Sequence, residues 1–345
     1  MRRLVIVLLV AVLAAIGGAR AYDWWSWQVN TPVENRSEAV VIRVATGDGV
    51  PEIGEKLLAK RLIRDRNVFE LYVRYAGARD KLQAGEFVLN RSMNMREIVD
   101  ALQHSTVAQV SVTMPEGYTA KLMAQSVEKA GIGTAADYLA AVRDPSWEYD
   151  FLTSRPKGAD LEGYLFPETY SLDRGAGVRD LVKLQLTQFG KEFSPELREQ
   201  IARPAAGRPA ESVQNIVILA SMVEREVNRD PDRAMVCGVF YNRLGSNRTA
   251  GLLQVDATVL YAMGEWKRSL TQDELKFASP YNTYLHPGLP PGPIANPGAA
   301  AIRACVSPQK SDYFYYFTDP KGVTHFDRTL DEFENDKKRY GVSGA

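Results

Sequence analysis

Residues 215–228 read NIVILASMVEREVN, and the spacing of their apolar side chains predicts a buried helix. Successive residues of an α-helix lie about 100° apart, so Glu224 projects between Ala220 and Val217. A carboxylic acid in apolar surroundings tends to keep its proton at neutral pH. A general acid that breaks a glycosidic bond needs this property. The stretch therefore predicts both a helix and a candidate catalytic carboxyl group.

The same helix offers a second acidic residue and a purely structural interpretation. Glu226 lies between Leu219 and Met222 on the helical wheel, so the periodicity does not choose between the two glutamates. A salt bridge or a place at the rim of the core also explains a glutamate here, and such roles are the more frequent ones. The choice of residue therefore stays open at this point.

The chain begins with a basic pair followed by an apolar run. Arg2 and Arg3 precede the uncharged residues 4–19, which would span roughly 24 Å as a helix, at the short end for a bilayer. An aromatic group follows, as in an interfacial belt: Tyr22, Trp24, Trp25 and Trp27. We expect a cytoplasmic stub and a transmembrane anchor over residues 1–22, with the bulk of the chain outside the cytoplasm. A cleaved signal peptide is the alternative.

The composition excludes some classes of function. The chain has 42 basic and 42 acidic residues, and this zero net charge argues against a nucleic-acid-binding protein. Its three histidines have no metal-ligand spacing, and no nucleotide-binding glycine motif is present, so we expect no metal and no cofactor. Cys237 and Cys305 can pair in an oxidising compartment, but the apolar helical pattern around Cys237 favours two buried free thiols.

The pattern of residues predicts an α+β protein with two folded parts after a polar connector at 23–38. The first part has strands at 39–45 and 87–89 and helices at 50–62, 69–76 and 95–102. The second has strands at 110–114 and 313–317 and helices at 120–130, 178–193, 215–228, 230–244, 254–263 and 330–339. A proline-rich loop spans residues 279–297. A loop of this length inside a domain is usually functional or disordered, and we expect this one to be ordered and functional.

Polar and aromatic residues cluster in the second part. Aromatic faces beside amide, hydroxyl and carboxyl groups suit sugar rings, which offer C–H faces and hydroxyls together. Singly, each of these residues is more often structural. The candidates for binding a carbohydrate are Glu162, Tyr164, Asn242, Gln254, Asp256, Tyr281, Asn282 and Tyr284.

Six ordered blocks resemble the YceG/MltG family, the endolytic murein transglycosylases of the bacterial inner membrane. They are PEGYT at 115–119, EGYLFPETY at 162–170, LASMVEREV at 219–227, VFYNRL at 239–244, LLQVDATVLYAMG at 252–264 and SPYNTYLHPGLPPGPIANPG at 279–298. The resemblance covers nearly the whole chain. It implies a membrane-anchor helix, a LysM-like module over residues 39–106 and a mixed α+β YceG-like catalytic domain over residues 107–345.

The resemblance also implies a reaction. Glu224 matches the family's catalytic glutamate and would act as the single general acid and base. It would cleave MurNAc-β-1,4-GlcNAc bonds within nascent glycan strands, leave 1,6-anhydroMurNAc ends and so end strand elongation. Glu162, Asn242, Gln254 and Asp256 are candidates for orienting Glu224 or holding sugar groups, and Tyr281 and Tyr284 for stacking.

The implied setting is a single-pass protein of the inner membrane, with a cytoplasmic N-terminus, a periplasmic catalytic part and peptidoglycan synthase complexes as partners. Two alternatives remain for the function. One is a lysozyme-like hydrolase, in which Asp256 or Glu162 activates water. The other is a glycan-binding scaffold without catalysis.

Overall fold

The computed structural model describes residues 2–35, 38–45, 47–104, 109–173, 176–205, 208–227, 229–267 and 269–342, with the backbone alone for residues 2–11, 13 and 14. The chain divides into two compact units, Met1–Gln109 and Val110–Ala345. The predicted boundary between residues 106 and 107 lies outside the described residues.

The first unit pairs two strands and surrounds them with helices. It contains α1 (Arg2–Asn30), β1 (Ala39–Val44), α2 (Val50–Ala59), α3 (Arg66–Tyr75), β2 (Gly85–Asn90) and α4 (Met95–Gln103). β1 and β2 are antiparallel, with Ala39 opposite Asn90. The strands and helices predicted after residue 38 are confirmed, whereas the assignment to the LysM class stays a prediction.

Side-chain caps and a small core explain these elements. The Asp65 side chain caps α3, and Asn94 forms a reciprocal capping box with Glu97 at the start of α4. The core closes over fully buried apolar side chains, among them Leu57, Phe69, Phe87, Ile98 and Leu102.

The helix α1 covers the segment predicted to be an anchor. Of its aromatic residues, Trp25 packs on the core of the first unit and Trp27 lies under the Arg64 guanidinium, 4.4 Å from the ring centre. Within the described part of the chain, the structure contains no helix long and apolar enough to cross a membrane. The transmembrane anchor within residues 1–22 therefore stays a prediction.

The described residues of the second unit are mostly helical and form two small sheets. Its helices are α5 (Ala120–Lys129), α6 (Ala135–Arg143), α7 (Val178–Glu192), α8 (Pro195–Ile201), α9 (Val213–Glu226), α10 (Asp230–Leu244), α11 (Asp256–Met263), α12 (Ala299–Val306) and α13 (Leu330–Arg339). β3 (Gln109–Thr113) pairs with β4 (Thr169–Asp173), and β5 (Tyr315–Thr318) pairs antiparallel with β6 (Thr324–Asp327). The mixed α+β class predicted from the sequence is confirmed.

The central element of the second unit is α9. The Ser212 hydroxyl caps it by accepting a hydrogen bond from the Asn215 N–H, and every residue from Ile216 to Val223 is buried. It packs against α10, α11 and α12. The helix predicted for residues 215–228 is thus confirmed, shifted by two residues towards the N-terminus.

The sequence did not predict five short elements of the second unit: β4, β6, α6, α8 and α12. Elements of four to nine residues show too few turns or alternations to produce a clear periodic signal. The loop at 279–297 contains no helix or strand, as predicted, and its last part is deeply buried, with Ile294, Ala295 and Asn296 at 0% exposure.

The two cysteines form a disulfide, so the predicted pair of free thiols is wrong. Cys237 on α10 bonds to Cys305 on α12, with the Cα atoms 5.5 Å apart, and both residues are fully buried. An apolar helical pattern predicts burial correctly, but it carries no information about which residue lies opposite on another helix.

Loss of this disulfide should destabilise the second unit. The bond closes a loop between residues 68 positions apart, and Cys237→Ala with Cys305→Ala should lower the free energy of unfolding by about 2–4 kcal/mol. Denaturant titration with and without a reducing agent measures the effect. The reducing agent should destabilise the wild type and leave the double variant unchanged; an equal response of both proteins would contradict the pairing.

Candidate active site

The Glu224 carboxylate lies in the last turn of α9, where α9 meets the start of α10. Its Oε1 accepts a hydrogen bond from Arg233 Nη1 at 2.9 Å, and both side chains are nearly buried, with 5% and 7% exposure. Arg233 Nε also donates to Asp230, whose side chain is exposed. One guanidinium therefore serves two carboxylates, of which Glu224 is the buried one.

The second oxygen of Glu224 is held by the backbone. The Gly298 N–H, at the end of the 279–297 loop, donates to Oε2 at 2.9 Å. A Cβ atom on Gly298 would lie 1.8 Å from Oε1 of Glu116, so only glycine leaves room for that side chain. The site therefore brings a second carboxyl group, Glu116, to the same short piece of backbone as Glu224.

The surroundings of Glu224 differ from those expected. A helical wheel shows only neighbours within one helix, and it predicted an apolar environment from Ala220 and Val217. The partners that contact the carboxylate, Arg233 and Gly298, come from other segments of the chain. The expectation of an apolar setting is therefore wrong, whereas the expectation of low exposure is right.

The surroundings of Glu116, which include Glu224 and Arg233, change its pKa. Burial raises the pKa of Glu116 above its ordinary value, and the charge of Glu224 raises it further. The Arg233 guanidinium acts in the opposite direction, to a smaller extent. The Glu116 carboxyl group therefore keeps its proton to a higher pH than an ordinary glutamate does.

Asn296 joins the segments around the site. Its side-chain oxygen accepts hydrogen bonds from the Gly163 and Leu165 N–H groups, at 2.8 and 3.0 Å. Its side-chain nitrogen donates to the Tyr118 carbonyl at 3.0 Å and to Glu162 at 2.7 Å. The amide is fully buried, and it ties the loop that ends at Gly298 to the PEGYT and EGYLFPETY blocks.

Glu162 is a buried acid with an unusual proton affinity. Its oxygens accept hydrogen bonds from the Ala120 N–H, both at 3.0 Å, and from Asn296. Burial raises the pKa of Glu162 to about 8, although these hydrogen bonds act to lower it. Glu162 is therefore largely neutral at pH 7.

Glu162 borders a cavity of about 660 Å³, which we name the aromatic cavity. It is lined by residues of α5, α6, α11 and the long loop, including Lys121, Arg143, Asp160, Tyr261, Trp266 and Tyr281. The rings of Tyr261 and Tyr281 lie 5.1 Å apart at 49°. Trp266 stacks under the Arg225 guanidinium at 3.8 Å, and Arg225 follows Glu224 directly in α9.

The structure brings only some of the predicted binding residues to this region. Glu162 and Tyr281 border the aromatic cavity. Tyr164 lies in the core at 0% exposure, with its hydroxyl donating to Gln214, and this placement does not support contact with a sugar. Asn282 is also fully buried and donates to the Leu275 and Phe277 carbonyls.

The other predicted residues hold a polar network beside β5. Asn242 donates to the Ser311 and Tyr313 carbonyls, and Gln254 accepts from Arg243. The hydroxyl of Tyr284 donates to Asp256. These bonds explain the residues structurally, and their predicted roles in binding sugar stay predictions.

Glu226 belongs to this network and not to the Glu224 site. The Tyr316 hydroxyl donates to Glu226 at 2.8 Å. Burial raises the pKa of Glu226 to about 7, and the charge of Asp256 adds to the effect. The two glutamates that the helical wheel did not separate therefore have different surroundings.

Sequence reasoning missed Arg233, Gly298, Asn296 and Glu116 as site residues. Three of them stand in the recognised blocks PEGYT and SPYNTYLHPGLPPGPIANPG, which was the available signal. Among the described residues, no group of three or more His, Cys, Asp and Glu side chains is arranged to hold a metal ion.

Comparisons with known proteins agree on one family. The sequence matches the YceG-like family over residues 42–339. It is 30% identical to a Bacillus subtilis protein named endolytic murein transglycosylase, over 94% of this chain and 91% of the relative. A Streptococcus pneumoniae protein of the same name is also 30% identical, over 94% of this chain, which spans 64% of that relative.

A solved structure agrees with the sequence matches. The crystal structure of a YceG-like protein from Listeria monocytogenes superposes with a TM-score of 0.58 at 32% identity. The likeness covers 88% of this chain and 100% of that one.

Removal of Arg233 should show how much its ion pair with Glu224 contributes to the free energy of unfolding. Arg233→Ala leaves the nearly buried Glu224 carboxylate without its charged partner, and we expect it to lower the free energy of unfolding by about 3 kcal/mol or more. The matched control is Asp230→Asn, because the exposed Asp230 side chain should contribute less than about 0.5 kcal/mol. Urea titration compares the two; similar losses would contradict this account.

Glu162 should make stability depend on pH. Between its ordinary pKa of 4.5 and the folded value of about 8, the folded protein retains a proton that the unfolded chain has lost. Stability should therefore fall as pH rises through this window, by up to about 1.4 kcal/mol per pH unit from this group.

Urea midpoints between pH 4.5 and 8 test this effect. Glu162→Gln should flatten the fall, and any slope that remains belongs partly to Glu226. Glu168→Gln, an exposed acid in the same block, should keep the slope of the wild type. Parallel curves for the wild type and Glu162→Gln would show that Glu162 is not the titrating group.

Proposed function

The chain belongs to the YceG-like family and is a lytic transglycosylase, and we propose that Glu224 is its single general acid and base. The substrate is the glycan strand of peptidoglycan, cut internally at MurNAc-β-1,4-GlcNAc bonds to leave 1,6-anhydroMurNAc ends. The observation that carries this proposal is the nearly buried Glu224 carboxylate, held at both oxygens by Arg233 and the Gly298 N–H. Such two-point holding fixes the direction in which a proton is given and taken.

The first half of the reaction needs Glu224 with its proton. Glu224 donates this proton to the glycosidic oxygen, and the bond between that oxygen and C1 of MurNAc breaks, with the electron pair leaving on the oxygen. Arg233 bonds Glu224 Oε1 and also the exposed Asp230 carboxylate, so one guanidinium is shared between two carboxyl groups. Burial and the charge of Glu224 raise the pKa of the neighbouring Glu116, which places a second proton-binding carboxyl group beside the site.

The second half uses the carboxylate. The C6 hydroxyl of the same MurNAc attacks the oxocarbenium-like C1 and forms the C1–O6 bond, while its proton passes to Glu224. The carboxyl group returns to its starting form without any water. Because the nucleophile belongs to the substrate, its proximity supplies much of the rate, and a second catalytic carboxylate is unnecessary.

The setting that we propose is the outer face of the cytoplasmic membrane. The disulfide supports an oxidising compartment. A membrane anchor within residues 1–22 would keep the site near nascent strands, and the first unit, as a LysM-like module, would help hold the glycan. Cutting there would end strand elongation, which makes peptidoglycan synthase complexes the expected partners.

Product analysis tests the reaction and the residue together. The full chain, incubated with uncrosslinked glycan strands, should release fragments with anhydro ends, one water lighter than hydrolysis products. Glu224→Gln should lose about 10²–10⁴-fold in rate, the usual contribution of a general acid and base. Mass spectrometry of the fragments and their rate of appearance provide the readout.

The matched control is Glu226→Gln, on the same helix and in a separate network. It should keep most of the activity. Equal losses in the two variants would remove the case for Glu224, and full activity of Glu224→Gln would exclude its role and favour a scaffold that binds glycan without cleaving it.

A lysozyme-like hydrolase is the second candidate, and Glu116 is the observation that favours it. A hydrolase needs a second carboxylate to activate water or attack C1. Asp256 accepts a hydrogen bond from Tyr284, and Glu162 accepts one from Asn296. Glu116, in contrast, lies against Gly298, which also contacts Glu224. If the wild-type products carry the added water and Glu116→Gln abolishes them, the hydrolase is the correct function. A transglycosylase should keep its anhydro product in Glu116→Gln, at a reduced rate.

A further inference from the structure

The aromatic cavity carries an excess of positive charge. Lys121 and Arg143 line it as cations, and Asp160 is its charged acid. Glu162 adds no full charge at neutral pH because burial raises its pKa to about 8. A cavity with this balance favours a ligand that carries carboxylates.

The cavity also offers apolar faces. Tyr261 and Tyr281 form a tilted ring pair, and Trp266 is fixed by the guanidinium stacked on it. Aromatic faces of this kind pack against methyl groups and aliphatic chains as well as against sugar rings. The ligand is therefore expected to combine carboxylates with small apolar groups.

Two segments of the chain contact both the cavity lining and the Glu224 site. Along α9, Glu224 is followed directly by Arg225, which stacks on Trp266 in the cavity wall. Along the long loop, Asn296 bonds Glu162, and Gly298, two residues later, bonds Glu224. The cavity and the Glu224 site therefore share two segments of the chain, as expected of sites that bind two parts of one substrate.

From these observations we propose that the aromatic cavity binds the stem peptide of the muramic acid residue being cleaved, with its carboxylates towards Lys121 and Arg143. The glycan itself is uncharged in stem-bearing strands, because the lactyl carboxyl group is bonded to the peptide. Only the peptide offers charged partners for these cations, and the alanine methyl groups of a stem suit the aromatic faces. This inference rests on the proposed function, since it assigns part of the same substrate.

The test compares two substrates with the full chain. One is uncrosslinked strands that carry stem peptides, and the other is the same strands after an amidase has removed the stems. The wild type should cut the stem-bearing strands about tenfold more efficiently, mainly through a lower KM. Lys121→Ala combined with Arg143→Ala should lose this preference and keep the wild-type rate on stripped strands.

The matched control is Lys129→Ala, a lysine of the same helix that does not line the cavity. It should keep the preference. Equal cleavage of both substrates by the wild type would overturn the inference while leaving the proposed function intact. A better rate on stripped strands would also overturn it, since those strands expose the lactyl carboxylate in place of the peptide. Absence of cleavage on both substrates would count against the proposed function itself.

Discussion

A single buried amide, that of Asn296, holds together the segments on which the candidate site depends. It uses its oxygen for two backbone N–H groups and its nitrogen for one carbonyl and one carboxyl group, so its hydrogen-bonding capacity is filled. An unsatisfied polar group at this depth would cost free energy, so each of these segments is constrained to its place. The proline-rich loop can therefore remain without regular structure and still present Gly298 to Glu224 at a fixed distance.

The role proposed for Glu224 requires a compromise that the surrounding residues explain. A general acid and base must be stable in both forms, and an isolated carboxylate at 5% exposure would be too costly. Arg233 supplies a charged partner for Glu224 and bonds Asp230 as well. Glu116 opposes two negative charges around Gly298. The site thus places one cationic partner and one neighbouring carboxyl group around Glu224, whereas an apolar pocket would offer neither.

Long elements with a regular apolar period were predictable, and contacts between distant segments were not. The helix α9 follows from its spacing to within two residues, because eight consecutive buried positions leave a clear pattern. The same pattern could not show that Arg233 and Gly298 meet Glu224, nor that Cys237 faces Cys305, because those contacts join separate elements. Tyr164 shows a different limit of sequence reasoning. It is a polar aromatic residue in a recognised block, but it lies in the core, where its hydroxyl donates a hydrogen bond to Gln214. Residue type indicates what a side chain can do, and packing decides whether a ligand can reach it.

The disulfide and the candidate site share the same helix faces, which connects the redox state of the compartment with the geometry around Glu224. Cys237 lies four residues after Arg233 on α10, and Cys305 lies seven residues after Gly298, which caps α12. Spacings of four and seven residues return to the same face of a helix after one and two turns. The bond between the two cysteines therefore joins the two helices that supply Arg233 and Gly298, the partners of the carboxylate. A chain that remained reduced would keep the same residues in the site and would lose the covalent link that holds their helices together.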